Sequence, residues 1–292
     1  MKSSTRKAAR GLGTETPPAG RVGERLRDSG KLTDRDIDRI LVAQTRGRRR
    51  FGETAVDLKL VTEGEIQMAL SQQYNYPHFQ SQDFGWSSDV FSAREPFGAQ
   101  SEAIRTLRSD LVLRGYGDEK KILAVVGSRA GDGTSILAAN LAVSFAQLGE
   151  RTLLIDANLR KPSQRFLFGL ADGSGLSDVL RSRCALNEAI TQMHPVDNLS
   201  ILTSGPAPPN PQELLSQMGF SYLIETGTLA FDIAIIDTPP MMEFADAQVI
   251  SRRAGACVCV CRRNRTSVAD IAQVKSLLER SGVQAVGAVV WD

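Results

Sequence analysis

The stretch from Lys121 to Gly149 constrains the fold more than any other. It joins a short apolar run, "KILAVVG", to a glycine-rich turn, "SRAGDGTS", and then to a longer helical run, "ILAANLAVSFAQLG". A strand, such a turn and a helix start direct successive backbone N–H groups at one point, a geometry that suits a phosphate. Five more short apolar runs follow: "RTLLID", "LSILTSG", "FDIAIID", "ACVCVCR" and "AVGAVV". Short apolar strands alternating with helical segments predict a doubly wound, mostly parallel α/β sheet, with ligands at the carboxyl ends of its strands.

The turn matches the phosphate-loop pattern G-x-x-x-x-G-K-[ST] imperfectly. Ser128 takes the first glycine position, Gly133 the second and Ser135 the hydroxyl, but Thr134 stands where the lysine belongs. Arg129, Gly131, Asp132, Gly133, Thr134 and Ser135 are the candidate nucleotide-binding residues. Asp237, which ends "FDIAIID", is placed to hold Mg²⁺ through water.

At 292 residues the chain has room for this domain and a smaller one. A net charge of +2 gives no reason to expect nucleic acid. Cys257, Cys259 and Cys261 alternate along one strand and share a face; they read as buried small apolar residues, with metal ligation as the alternative. No apolar run approaches the ~20 residues of a membrane span, and the first 20 residues lack the apolar core of a secretory signal. The expectation is a cytoplasmic protein, peripheral to the inner membrane only through a partner. Residues 1–19, basic and rich in Ser, Thr, Pro and Gly, are expected to be a disordered tail, and residues 83–100 a linker.

Residues 20–82 contain a repeat. "RVGERLRDSGKLTDRDIDRILVAQ" from Arg21 overlays "RFGETAVDLKLVTEGEIQMALSQQ" from Arg50. Each copy reads as a short helix, a turn and an amphipathic helix, the last capped by Thr33 or Thr62 with an acid three residues on. The repeat resembles the N-terminal (MshEN-type) domain of type II secretion and pilus assembly ATPases. The resemblance implies a cyclic di-GMP site on Arg21, Gly23, Gly30, Gln44, Arg50, Gly52 and Gln73; the alternative reading is a ligand-free docking module of two helical hairpins. The second copy departs from that pattern at Ala55, where leucine is expected, and at Lys59, where glycine is expected.

Three further stretches characterise residues 101–292: "LLIDANLRKP", "FDIAIIDTPP" and "GPAPPNPQELL". With the loop they resemble the bacterial tyrosine kinases, and with the N-terminal repeat the EpsG-type chain-length-determinant kinases of exopolysaccharide clusters. The resemblance implies ATP and Mg²⁺ as cofactors. It makes Asp156 the base, Asp237 and Ser135 the metal-supporting pair, and Arg160 the matching family arginine. It implies a membrane chain-length-determinant (polysaccharide co-polymerase) partner, and a homo-oligomer formed through Glu102, Arg105 and Arg108 of "EAIRTLR". Besides Thr134, the departures are Asn158 for the second aspartate of the D-x-D-x-R motif and Trp291 at the position of an adenine-reading asparagine. The C-terminal tyrosine cluster is also absent: the four tyrosines are Tyr74, Tyr76, Tyr116 and Tyr222. Arg129, Arg160 and Lys161 are the candidates to replace the lost positive charge. Two readings follow, a kinase with a degenerate and weakened ATP site, and a regulatory scaffold that has lost chemistry.

Overall fold

The computed structural model describes residues 19–47, 49–74, 85–116 and 121–292. Most of the expected tail, residues 1–18, and residues 83 and 84 of the expected linker lie outside them. The chain divides into two units, residues 1–75 and 76–292.

The first unit is helical: α1 (Ala19–Asp28), α2 (Asp34–Gly47), α3 (Phe51–Asp57) and α4 (Glu63–Tyr74). Both expected capping boxes form. The Thr33 N–H donates to Asp36 at 3.0 Å and the Asp36 N–H to Thr33 Oγ1 at 3.3 Å; Thr62 and Glu65 exchange the same bonds at 2.9 and 3.3 Å. Val22, Leu26, Ile40, Phe51, Ala55 and Ile66 share one core. Small residues set how closely its helices pack. A Cβ on Gly23 would lie 3.0 Å from Phe51 Cζ, and one on Gly52 would lie 2.9 Å from Ile66 Cγ2. Ala55, fully buried, fills its place without the larger side chain.

The turns after α1 and α3 are the same turn. Lys31 N–H bonds to Leu26 O and Gly30 N–H to Arg27 O; Leu60 N–H bonds to Ala55 O and Lys59 N–H to Val56 O. These are the two bonds of a Schellman cap. Gly30 (φ +73°) and Lys59 (φ +55°) occupy its left-handed position. Lysine therefore adopts glycine's conformation in the second copy.

The second unit is a seven-stranded sheet in the order β3-β4-β2-β5-β1-β6-β7. The strands are β1 (Ile122–Gly127), β2 (Thr152–Asp156), β3 (Ile190–Gln192), β4 (Leu199–Leu202), β5 (Ile233–Asp237), β6 (Ala256–Arg262) and β7 (Gln284–Trp291). All neighbours pair in parallel except β3, which runs antiparallel to β4. Every strand read from the sequence is present; β3 is an additional edge strand. Of the helices, α5 (Phe91–Arg94), α6 (Ala99–Leu113) and α7 (Thr134–Leu148) precede or follow β1. The remainder are α8 (Gln164–Leu167), α9 (Leu176–Leu180), α10 (Leu186–Ala189), α11 (Pro211–Ser216), α12 (Met218–Tyr222), α13 (Asp246–Ala254) and α14 (Val268–Arg280). A π-turn, Leu223–Gly227, continues α12.

Apolar cores cover both faces of the sheet. Val125, Leu154, Ile235 and Val258 point to one; Leu153, Ile155, Ala234 and Ile236 point to another. The helix α7 is buried from Leu137 through Ala146. The linker expectation is corrected over residues 85–100. Trp86, Val90, Phe91 and Ala93 are buried in the same core as β1 and α7, and Trp86 packs edge-on against Phe168, centroids 4.9 Å apart. Asn140 on α7 pins this stretch, accepting from the Ser92 N–H at 2.8 Å and donating to Asp89 O at 2.7 Å.

Candidate nucleotide and metal site

The site lies at the carboxyl ends of β1, β2 and β5. β1 runs into residues 128–133, and α7 begins at Thr134. Gly131 (φ +86°) and Gly133 (φ +91°) give the loop backbone angles that L side chains rarely adopt. Asp132 holds the loop's curve from inside: one carboxylate oxygen accepts from Ser128 Oγ at 2.7 Å and the Arg129 N–H at 2.8 Å, and the other from Thr266 Oγ1 at 3.0 Å. The segment after β5 clamps the outside, Met241 and Met242 donating their N–H groups to Gly127 O and Ser128 O at 3.0 Å each. The Thr134 hydroxyl turns back toward β1; a Cβ on Gly127 would lie 2.4 Å from it.

Asp156 and Asp237 end adjacent strands as register partners, both fully buried. Asp156 accepts N–H bonds from Asn158 (3.2 Å), Ser163 (3.0 Å) and Gln164 (3.0 Å). Gln164 Nε2 donates to Asp237 Oδ2 at 2.7 Å and to Ser135 O at 3.1 Å, and the nearby Ser135 side chain acts against burial on the Asp237 carboxyl. Burial raises the pKa of both carboxyls, and the charge of Asp237 raises that of Asp156 further. Asp237 Oδ1 is buried with no hydrogen-bond partner among the described residues. A buried carboxylate oxygen without a donor, beside a serine hydroxyl and under a glycine-shaped loop, is a donor set that fits Mg²⁺. Ser135 and Asp237 would hold the ion.

The candidate replacements for the missing lysine charge are committed elsewhere or uncommitted. Arg129 pairs with Asp270 through two bonds, at 2.9 and 3.2 Å. Arg160 pairs twice with the buried Asp246, at 2.7 and 3.1 Å, and lies over the Phe244 ring. Lys161 is exposed. Asn158 uses its side-chain oxygen to accept the Lys161 N–H at 3.1 Å, so it holds the turn rather than facing the loop as a charge. Trp291 stacks on Phe91, centroids 5.7 Å apart, and a Cβ on Gly133 would lie 3.4 Å from its ring. That indole therefore borders the loop. Sequence reasoning did not single out Gln164, the link between Ser135 and Asp237, nor Arg262 and Arg265 from the far end of the chain. Arg262 donates to Gly131 O at 3.1 Å and Arg265 to Ala130 O at 3.0 Å.

On α6, Glu102 pairs with Arg105, which also donates to Pro96 O. Arg108 donates to Ser144 O on α7 at 2.6 Å. These three expected oligomer residues thus make contacts within their own unit. Tyr116 is buried, which pushes its hydroxyl up to about 12, while Tyr222 is exposed.

In the first unit the expected cyclic-dinucleotide residues are dispersed among structural tasks. Gly23 and Gly52 are explained by helix packing and Gly30 by a cap. Gln44 donates to Arg49 O at 3.0 Å, and Arg50 is exposed at the start of α3. The side chains of Arg21 and Gln73 lie outside the described set.

A parallel sheet with a glycine loop between β1 and α7, and an aspartate ending the adjacent β5, defines a P-loop α/β protein. Residues 120–174 match the family model "Cellulose biosynthesis protein BcsQ". The chain is 37% identical over 202 residues to the tyrosine-protein kinase YwqD of Bacillus subtilis, covering 69% of this chain and 85% of that one. It is 32% identical over 195 residues to the tyrosine-protein kinase etk of Escherichia coli, of which it spans 27%. The crystal structure of the chimerical protein CapA2B2 superposes with a TM-score of 0.66 at 31% identity, over 77% of this chain and 97% of that one. The chain belongs to the bacterial tyrosine-protein kinase family. Among the described residues no helix is long and apolar enough to cross a membrane.

Proposed function

We propose that the second unit binds a magnesium–adenine nucleotide at the 128–135 loop and acts, with slow phosphoryl transfer, as a tyrosine-kinase component controlling polymer length in exopolysaccharide assembly. The observation that carries this reading is the partnerless, buried Asp237 Oδ1 beside Ser135. An unsatisfied buried carboxylate oxygen costs about 1–3 kcal/mol or more, and a bound cation at this position would offset that cost. When bound, Mg²⁺ would neutralise phosphate charge. The loop N–H groups would orient the phosphates, and Asp156 would accept a hydroxyl proton once the bound cation favours its ionised form. Loss of the loop lysine lowers the rate, since phosphoryl transfer depends mainly on positioning and charge neutralisation.

The test is titration of the full chain with ADP, with and without Mg²⁺, followed by the fluorescence of Trp291 beside Gly133. Mg²⁺-dependent binding that Asp237→Asn removes is the expected result; no binding in either condition refutes it. In labelled-ATP assays, Thr134→Lys is expected to raise transfer by about 10² to 10³. If neither the wild-type chain nor Thr134→Lys releases ADP above an Asp237→Ala control, the scaffold reading replaces the kinase.

The proposed setting is cytoplasmic, with docking on a membrane chain-length determinant and self-association through the α6 face that carries Glu102. For the first unit the packing roles of Gly23 and Gly52 favour a docking module over a cyclic di-GMP site. Calorimetric titration with cyclic di-GMP decides between them, and heat lost on Arg50→Ala would restore the ligand site.

A further inference from the structure

The turn after β6 brings cationic groups to the loop that lacks its lysine. Arg262 ends β6, and Arg263 and Arg265 follow it in the turn, around Asn264 in the left-handed conformation (φ +58°). Arg263 is neutralised by Asp292 at 2.8 Å. Neither Arg262 nor Arg265 forms an ion pair among the described residues. Each donates instead to a loop carbonyl, Gly131 O and Ala130 O. The Arg265 guanidinium is close enough that a Cβ on Gly131 would lie 2.7 Å from its Nη1. Thr266 fixes the turn to the loop, donating to Asp132 at 3.0 Å while accepting the Arg262 N–H at 2.8 Å.

A guanidinium carries five donors. One bond to a carbonyl leaves the others, and the full charge, available to phosphate oxygens. Of the competing cations, Arg129 is spent on Asp270 and Arg160 on Asp246; Lys161 is exposed, and among the described residues only its backbone N–H is tied down, to Asn158.

We propose that Arg265, assisted by Arg262, supplies to the loop from the turn after β6 the positive charge that Thr134 cannot, binding the phosphate chain of the nucleotide. This inference rests on the nucleotide reading above. Its structural alternative is that the two arginines only staple loop carbonyls.

The experiment measures Kd of the full chain for ADP and for adenosine in the presence of Mg²⁺. Arg265→Gln keeps a donor for the carbonyl and removes the charge. It is expected to weaken ADP about tenfold, an ion-pair-sized effect, and to leave adenosine unchanged. Combining Arg262→Gln with Arg265→Gln should reach about a hundredfold, and adding Thr134→Lys should recover most of the loss. ADP affinity unchanged by the double substitution overturns the inference while leaving nucleotide binding intact. Equal losses for ADP and adenosine also overturn it, since they would mark a stapled loop rather than a phosphate contact. No ADP binding by the wild-type chain refutes the underlying nucleotide reading instead.

Discussion

The two sides of the site handle charge in opposite ways. The acidic side is built into the sheet: Asp156 and Asp237 end paired strands, fully buried, with backbone N–H groups holding Asp156 and Gln164 holding one oxygen of Asp237. Neither can be relocated without changing a strand end. The cationic side is assembled on the surface. Arg262 and Arg265 reach the loop from another turn and hold only carbonyls. A metal needs ligands at set positions, whereas a polyphosphate needs positive charge within reach. A lysine can thus be lost from the loop at a cost that another element offsets, but the buried aspartates have no substitute.

That asymmetry is broken most directly at Asp237. Asp237→Asn should weaken Mg²⁺-dependent ADP binding by at least a hundredfold, more than any single arginine substitution, and a smaller loss would put the two sides on equal footing. Its effect on the empty protein should have the opposite sign. Both aspartates have pKa values raised above those of the unfolded chain. Between the unfolded and folded values the native state binds more protons, so stability falls as pH rises through this window. Thermal melts of the metal-free wild type should therefore drop from pH 5 to pH 8. Asp237→Asn should flatten that slope and gain about 1–3 kcal/mol at pH 8. A parallel slope in the variant would mean that Asp237 carries no strain.

A weaker effect tests how tightly the first unit is packed. In Gly52→Ala the new methyl would meet Ile66 Cγ2 at 2.9 Å. Overpacking of this kind costs about 1–3 kcal/mol. Hydrogen exchange over α3 and α4 in the full chain should accelerate accordingly, while exchange in the sheet stays unchanged. Unchanged protection in α3 would show that Gly52 is not a packing glycine and would reopen the ligand reading for the repeat.

Much of this was legible from the sequence because it is local. Continuous apolar runs gave the parallel strands, and Thr33/Asp36 and Thr62/Glu65 gave the caps. The three-residue strand Ile190–Gln192 was not legible, since its last two residues are exposed and it is too short to show alternation. Residues 85–100 were misread as linker because serines, glycines and a proline surround the few aromatics that anchor them. The contacts of Arg262 and Arg265 join residues more than 130 positions apart. No spacing rule reaches that far, which is why nearer cations were the natural candidates for the lost lysine.

The smallest expected effect is at the repeated cap, where a role has also moved from one residue type to another. Gly30 and Lys59 hold equivalent positions, and both caps close with the same pair of backbone bonds. A side chain in the left-handed region costs about 1–2 kcal/mol relative to glycine. Part of this is returned because lysine loses less backbone entropy on folding than glycine does. Lys59→Gly should therefore stabilise the first unit by less than about 1 kcal/mol, and Gly30→Lys should destabilise it by a similar amount. Reciprocal shifts would show that the second copy tolerates lysine as mild strain within an unchanged turn. A loss of stability in Lys59→Gly would mean that the lysine side chain makes a contribution larger than the strain it bears.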